Sequence, residues 1–358
     1  MGLLSGMGFS EIGFLRFAGF FARALLRNAR ALCLKKALRP LLPAARRRGK
    51  LIRMSKPFAK IVTTVAIPVA TPWQRRWWLF HKRILPIGST YLGLVLAPFC
   101  FSVSGVALAV VLLYLTGLGV TVGMHRLLTH RSFSTHRWLE RTLATLGALA
   151  FQGGVVDWVV VHRIHHAHAD TDRDPHTPKD SFWRGHVLWL FVYDPRVAVE
   201  SLKQRYVGDL LADPFMAFLN RWSIGLQALL FAILYGAGEI IGPRLGLSWA
   251  VYGVFVRVAV LHQVAFLVNS ASHTWGYVSF ETRDRSANCW WLALLALGEG
   301  WHNNHHAFPR SARFGCRWYE VDAGYLPIRL LQALHLAWDV VVPTPVRHDR
   351  GSGPLRRG

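Results

Sequence analysis

The chain has few acidic residues and few cysteines. Its 358 residues include 19 Asp and Glu against 42 Lys and Arg, and no acid lies between Glu11 and Glu140. There is no CxxC pair and no disulfide-like spacing, which argues against cysteine metal sites and favours free thiols in a reducing compartment. The four cysteines are Cys33, Cys100, Cys289 and Cys316.

The abundant residues are apolar and basic. Hydrophobic residues make up 52% of the chain, the mean hydropathy is +0.26 and the formal net charge is +23. This combination is typical of a membrane protein with a basic cytoplasmic face. Nucleic-acid binding would also suit a basic chain, but we find no recognition helix, aromatic RNA-binding sheet or zinc finger. We therefore expect no nucleic-acid partner.

Composition divides the chain into three parts. Residues 1–53 form a basic extension that could lie in the membrane interface, act as a transit peptide, or precede a start at Met54. Residues 54–340 form the membrane domain. Residues 341–358 form a basic C-terminal tail.

Four apolar stretches have about the length that crosses a bilayer as a helix. The short connections between paired stretches contain only Arg244 as a charge, whereas most Lys and Arg lie on the other side. The positive-inside rule then places both termini and the histidines in the cytoplasm, with a bacterial inner membrane as the expected location. The four predicted spans are Ile84 to Phe101, Val106 to Met124, Trp222 to Ile241 and Trp249 to Val268.

A fifth apolar run, Leu143 to Val161, is predicted to be an interfacial or buried helix. Gln152, Gly153 and Asp157 interrupt it, and crossing the membrane would separate the histidine motifs on its two sides. Arg257 lies inside the last predicted span, so we expect it to turn toward the cytoplasmic cap or to a carboxylate. The predicted fold class is all-α: four transmembrane helices with a cytoplasmic helical cap.

Histidine is the informative residue. The phrase HxxHH occurs twice, an HxxxxH motif precedes it, and one more His follows the last span. Offsets of three and four residues place imidazoles on one helix face, as a metal site requires. Imidazole suits zinc, copper, nickel or iron, and the number of ligands fits two ions. The candidate donors are His125, His130, His162, His165, His166, His273, His302, His305, His306 and Asn269.

Four motifs give the chain a family resemblance. GMHRLLTHRSF, VVDWVVVHRIHHAHADTDRDPH, NSASHTWG and GEGWHNNHHAFP resemble, in order and spacing, the membrane fatty acyl desaturases of the stearoyl-CoA desaturase type. The resemblance implies that the nine histidines bind two iron ions and that Asn269 completes one iron's environment. It also implies insertion of a cis double bond, most often at the ninth carbon, with O2 and two electrons.

The resemblance assigns further roles. Gln152 and Trp158 match positions that shape the acyl tunnel, and Ala265 stands where a Thr lines its bend. Asp172 and Asp174 are predicted to orient histidine ligands, or else to cap a turn.

Departures from the family pattern bear on the partners. Val160 and Val161 stand where animal enzymes have Arg-Asp, so contacts to a CoA head group are missing. Acyl-CoA is the predicted substrate, with acyl carrier protein or a lipid-linked chain as alternatives. No fused haem segment is found, so electrons are expected from a separate ferredoxin or flavin reductase.

Two other functions compete with desaturation. A lipid hydroxylase or epoxidase could use the same diiron scaffold, and only product analysis separates it from a desaturase. A metal transporter should have polar residues along the middle of its spans, whereas these histidines gather at one membrane edge.

Overall fold

The computed structural model describes residues 70–343, and these residues are mostly helical. The predicted N-terminal extension 1–53 and its boundary lie outside the described residues, as does most of the predicted tail 341–358. The described part contains one short strand pair, so the all-α prediction holds for nearly all of it: Ser134–Thr135 pairs antiparallel with Ala337–Trp338.

The helices are labelled in chain order. They are α1 Pro72–Leu79, α2 Leu85–Leu94, α3 Val103–Leu118, α4 Arg137–Leu149, α5 Val155–His168, α6 Phe182–His186, α7 Pro195–Ala198, α8 Glu200–Leu211, α9 Pro214–Arg221, α10 Ser223–Ile241, α11 Leu245–Ala250, α12 Arg257–Ser270, α13 Trp290–Leu295, α14 His302–Ala307 and α15 Tyr325–Ala333. The strands are β1 Ser134–Thr135 and β2 Ala337–Trp338. π-Helical turns cover Phe80–Ile84, Gly119–Thr129 and Val251–Val256, and 3-10 turns cover Ala97–Cys100, Leu188–Phe191 and Ala271–His273.

Three helical stretches among the described residues are long and apolar enough to cross a bilayer: Val103–Thr129, Ser223–Ile241 and Leu245–His273. They correspond to the second, third and fourth predicted spans. The first predicted span is covered by α2 and the 3-10 turn after it, and it is not among the three. A fourth crossing therefore stays a prediction.

The first and third of these stretches run in the same direction. Near their N-terminal ends, the hydroxyls of Ser102 and Ser248 lie 2.7 Å apart. Their C-terminal ends carry His125 and His273. Parallel helices that start together bring these two histidines to the same end of the bundle, in a region that we call the histidine layer.

Small residues let α4 approach the end of the first stretch. A side chain on Gly119 would collide with the backbone of Gly147, and one on Gly147 would collide with Met124. The close approach fixes the helix segment that carries His125. The predicted fifth apolar run breaks between α4 and α5, where Gly153 has φ +98°.

Arg257 is fully buried inside the third stretch and its hydrogen bonds go to neutral groups. It donates to the carbonyls of Gly253 and Leu149, the hydroxyl of Thr116 and the side-chain oxygen of Gln227. Of the two predicted alternatives, none of these acceptors is a carboxylate, and one of them, the Leu149 carbonyl, lies at the end of α4. Four neutral acceptors instead replace the water that a guanidinium loses on burial.

Candidate metal centre

The nine predicted histidines come together in two groups. Within each group, one ligand atom from every ring lies within 4.8 Å of all the others. The five-histidine group contains His125, His130, His162, His166 and His305. The four-histidine group contains His165, His273, His302 and His306.

The two HxxHH phrases divide between the groups in opposite ways. On α5, His162 and His166 are four residues apart and share the five-histidine group, while His165 joins the other group. On α14, His302 and His306 join the four-histidine group, and His305 joins the five-histidine group. Residues four apart lie on one helix face and the residue between them points to its side. Each phrase therefore contributes to both groups.

A π-helical turn aligns the HxxxxH motif. The amide of His130 donates to the carbonyl of His125 five residues earlier, at 3.2 Å. This wider turn brings residues five apart onto one face, which an ordinary α-helix does not. The two ring centroids are 4.9 Å apart.

Carboxylates hold four of the rings through Nδ1. The distances are 2.6 Å from His125 to Glu299, 2.9 Å from His165 to Asp174, 2.9 Å from His273 to Asp170 and 2.8 Å from His306 to Asp284. An Nδ1 that donates to a carboxylate leaves the Nε2 lone pair free to bind a metal. This pattern of imidazole and carboxylate pairs is typical of metal sites.

Of the two carboxylates predicted to orient histidines, Asp174 and Asp172, only one lies beside a histidine of the two groups. Asp174 is buried against His165, but the side chain of Asp172 is 90% exposed and lies 3.4 Å from Lys179. Asp170 takes the position next to His273 instead. The structure therefore does not bring Asp172 to the histidines.

Sequence reasoning missed three of the carboxylates. Glu299 lies in the GEGWH motif and Asp170 in the ADTD segment, so both had a local signal. Asp284 lies in an irregular loop with none.

Residues between the histidines of α14 fix that helix. The Oδ1 of Asn303 accepts from the amides of Ser279 and Phe280 at 2.7 and 2.9 Å. The amide of Asn304 donates to the Phe314 carbonyl at 2.9 Å and to Glu320 at 2.8 Å. Both Asn side chains are buried, so these bonds hold the three rings in place.

Arg126 supports the other side of the centre. Its guanidinium is fully buried, donates to Glu299 at 2.8 Å and to Asp322 at 2.9 Å, and lies 3.8 Å from the ring centroid of Phe314. Because Glu299 also holds His125, the position of this ring depends on Arg126.

Burial keeps most rings neutral. Desolvation, reinforced by neighbouring imidazoles, lowers the pKa of His162, His166, His302 and His305 well below the ordinary value. Desolvation also lowers the pKa of His306 to about 4, despite its hydrogen bond to Asp284. Neutral imidazoles offer lone pairs at physiological pH, as metal binding requires.

The spacing of the ring nitrogens fits shared ions. Two ligands that each lie about 2.1 Å from one ion, roughly at right angles, are about 3 Å apart. In the five-histidine group, Nε2 of His305 lies 3.1 Å from that of His125 and 2.9 Å from that of His166. In the other group, Nε2 of His302 lies 3.0 Å from that of His273. The residues present therefore suit a pair of metal ions.

An apolar cavity of about 370 Å³ reaches both groups. Its wall includes His125 and His162 of one group and His165 and His302 of the other, with Asn269 beside them. The remaining wall is largely apolar, and it extends along α3 as far back as Val110, Leu113 and Tyr114. The three predicted tunnel residues, Gln152, Trp158 and Ala265, all line it.

Two of these tunnel residues are hydrogen-bonded to each other. The indole of Trp158 donates to Gln152 at 3.1 Å, and its ring stacks on His162 with centroids 5.1 Å apart. This part of the cavity wall is therefore in direct contact with a candidate metal ligand.

Comparison with known proteins identifies the family. A family model described as fatty acid desaturase matches residues 101–335. An sn-1 stearoyl-lipid 9-desaturase of Anabaena variabilis is 46% identical over 244 residues, which are 68% of this chain and 86% of the relative. The chain belongs to the fatty acid desaturase family. As a desaturase it is an oxidoreductase of lipid metabolism, in a metal-dependent family associated with membranes.

Two further relatives bear on the substrate of the desaturase. An sn-2 palmitoyl-lipid 9-desaturase of Nostoc sp. (strain 36) is 42% identical over 253 residues, 70% of this chain and 86% of the relative. A chloroplastic palmitoyl-monogalactosyldiacylglycerol delta-7 desaturase of Arabidopsis thaliana is 41% identical over 281 residues, 78% of this chain and 73% of the relative. All three relatives are named for lipid-linked chains.

Proposed function

We propose that the protein inserts a cis double bond at the ninth carbon of a saturated acyl chain carried on a glycerolipid, with two irons bound by the nine histidines. The observation that carries this proposal is the apolar cavity whose wall reaches both imidazole groups. Such a cavity can bury a methylene chain beside the metal ligands and exclude water.

The overall reaction balances simply. A –CH2–CH2– unit, O2, two electrons and two protons give –CH=CH– and two molecules of water. Two irons held in the two groups would supply the oxygen chemistry that removes hydrogen from an unactivated methylene.

The protein's own residues position the reactants. The nine imidazoles hold the ions, with Asn269 near the four-histidine group, while Glu299, Asp170, Asp174 and Asp284 orient four of the rings. Gln152, Trp158 and Ala265 shape the wall beside them, which fixes one pair of carbons and the bend between them.

We place the acyl chain on a lipid rather than on CoA, which revises the expectation from sequence. The names of the relatives support this choice. Val160 and Val161 support it as well, because both are buried in the apolar core and offer no charge to a nucleotide. Two of the three relatives are named for the ninth carbon, which favours that position.

The surroundings of the reaction complete the proposal. The histidine layer faces the cytoplasm, where the Lys and Arg of the chain concentrate. Two electrons come from a separate ferredoxin or flavin reductase drawn to this basic face.

The test is product analysis with defined carriers. The full-length chain is expressed in a desaturase-deficient host fed isotope-labelled stearate, and iron per chain is counted after purification. We expect labelled delta-9 monounsaturated chains to appear in intact glycerolipids before they appear in the acyl-CoA pool. Label that appears first in acyl-CoA contradicts the lipid carrier, and a hydroxylated product contradicts desaturation.

A further inference from the structure

One end of the cavity carries polar donors without acceptors. The side chains of Arg83 and Lys82 line it there, and neither side chain has a hydrogen bond or ion pair to any residue in 70–343. The indole Nε1 of Trp189, also in the wall, is buried and lacks a partner. Buried polar groups are normally satisfied, so the Trp189 indole needs an acceptor from outside the protein, and the half-buried side chains of Arg83 and Lys82 line the same cavity.

Aromatic rings hold Arg83 in place. Its guanidinium carbon lies 5.6 Å from the ring centroid of Trp78 and 5.1 Å from that of Trp189. Contact with two rings restricts the side chain, and no residue in 70–343 accepts a hydrogen bond from its guanidinium. A guanidinium fixed in this way is suited to bind phosphate oxygens in a bidentate manner.

The local charge favours an anion. Asp157 and Asp194 are the carboxylates whose charge acts on Arg83, but Asp157 pairs with Lys203 and Asp194 with Arg196. Both acids are therefore already neutralised, and Arg83 and Lys82 leave a net positive charge at this end of the cavity.

The end of the cavity at Arg83 lies close to the histidines. The ring of Trp189 is 5.4 Å from that of His176, which stacks on His165 at 4.4 Å. Two ring contacts thus separate Trp189 from the four-histidine group. The first part of an acyl chain can span this distance when its head group lies at Arg83.

We propose that Arg83 and Lys82, assisted by the indole N–H of Trp189, bind the phosphate of the molecule that carries the acyl chain. The inference rests on the proposed function. The carrier that it favours is a glycerophospholipid, and CoA offers the same phosphate chemistry.

The test compares Arg83→Met with Arg83→Lys, which keep similar aliphatic stems beside the two indoles and differ in charge. The metal-loaded full chain is studied in neutral detergent micelles. Its Kd is measured by native mass spectrometry for distearoyl phosphatidylglycerol, phosphatidylcholine and monogalactosyldiacylglycerol, and for stearoyl-CoA.

For Arg83→Met we expect the Kd of both phospholipids to rise about tenfold, while that of the galactolipid, which lacks phosphate, is unchanged. Arg83→Lys should lose less phospholipid affinity than Arg83→Met, because it keeps the charge although it cannot bind in a bidentate manner. Trp189→Phe should raise the phospholipid Kd by a few-fold. Arg75→Met is the matched control, since Arg75 lies over Tyr193 at 5.7 Å but does not line the cavity.

Unchanged phospholipid binding in Arg83→Met would overturn the inference, as would an equal loss for the galactolipid, which indicates packing alone. If Arg83→Met does not fold, Lys82→Met and Arg83→Lys give the same comparison. If the unaltered chain binds stearoyl-CoA but no glycerolipid, and Arg83→Met weakens that binding, the phosphate site holds and the proposed lipid carrier fails.

Discussion

The two histidine groups hold their rings in different ways. In the four-histidine group, three rings are paired through Nδ1 with Asp170, Asp174 or Asp284. In the five-histidine group, only His125 has such a partner among the described residues, Glu299. The smaller group thus has the greater carboxylate support.

This difference suggests two ways to hold a metal ion. A carboxylate on Nδ1 fixes the ring and makes Nε2 a stronger donor, which compensates for fewer ligands. The larger group depends on the number of imidazoles. Substitutions in each group separate these two contributions.

Loss of one ligand should have the largest effect. We expect His306→Ala and His166→Ala each to reduce desaturation at least about a hundredfold. His306→Ala should also lose the iron of its group, because three imidazoles remain, whereas His166→Ala leaves four and should retain more iron. Lipid analysis and iron counts measure both effects. Full desaturation by either variant would show that the residue is not a required ligand.

Removing a carboxylate should have the next largest effect. Asp284→Asn and Asp170→Asn should weaken iron binding about 10- to 100-fold in the four-histidine group. Glu299→Gln should weaken iron binding by a similar factor in the five-histidine group alone. Chelator competition measures each, and Asp172→Asn, at an exposed site, is the control. Equal losses in Asp172→Asn and Asp170→Asn would contradict the assigned partners.

Asn269→Ala should give a smaller loss of activity, about tenfold, with an effect on the four-histidine group only. Asn269 lines the cavity, carries no charge and lies one helical turn before His273 of that group. The spectroscopic signature of the bound irons should change at one site. A variant with unaltered spectrum and activity would remove Asn269 from the centre.

The smallest effect should come from Asp209, which contacts no histidine and pairs with Arg163 on α5, the helix that carries rings of both groups. Arg163 of α5 donates to Asp209 at 2.9 Å and to the carbonyls of Leu128 and Tyr206, each at 2.7 Å. Burial alone would raise the pKa of Asp209, but hydrogen bonds from Arg163 and Arg131 outweigh it and lower the pKa to about 2.

The folded pKa is below the ordinary one, so this stabilisation is present above about pH 4 and is lost as the pH falls toward 2. Because Asp209 is partly exposed, Asp209→Asn should lower the free energy of unfolding by only about 1 kcal/mol at pH 7. The difference should vanish near pH 2. Denaturant titration measures it, with Asp180→Asn, at an exposed pair, as the control. A difference that persists at pH 2 would exclude the ion pairs as its cause.

The sequence predicted that the nine histidines meet, but not how they divide between two groups or what supports them. Helical spacing put the three rings of each HxxHH phrase on one face, whereas in the structure each phrase contributes to both groups. Helical spacing and motifs did not identify the carboxylate that holds His273. Asp170 has φ +57°, and this left-handed turn after α5 directs Asp170, rather than Asp172, to that ring.

Long-range contacts account for the other differences. Asp284 reaches His306 from a loop without a periodic pattern, and Arg257 finds its acceptors on three other helices or turns. The π-helical turn at His125 had a signal in its five-residue spacing, but only the structure shows how it aligns His130.

The central claim is that two ions bind in two separate histidine groups. Anomalous diffraction at the iron edge, from crystals of the purified full-length protein, tests it most directly. We expect two peaks, one among the five-histidine ligands and one among the four-histidine ligands. A single peak, or peaks away from these rings, would contradict the claim.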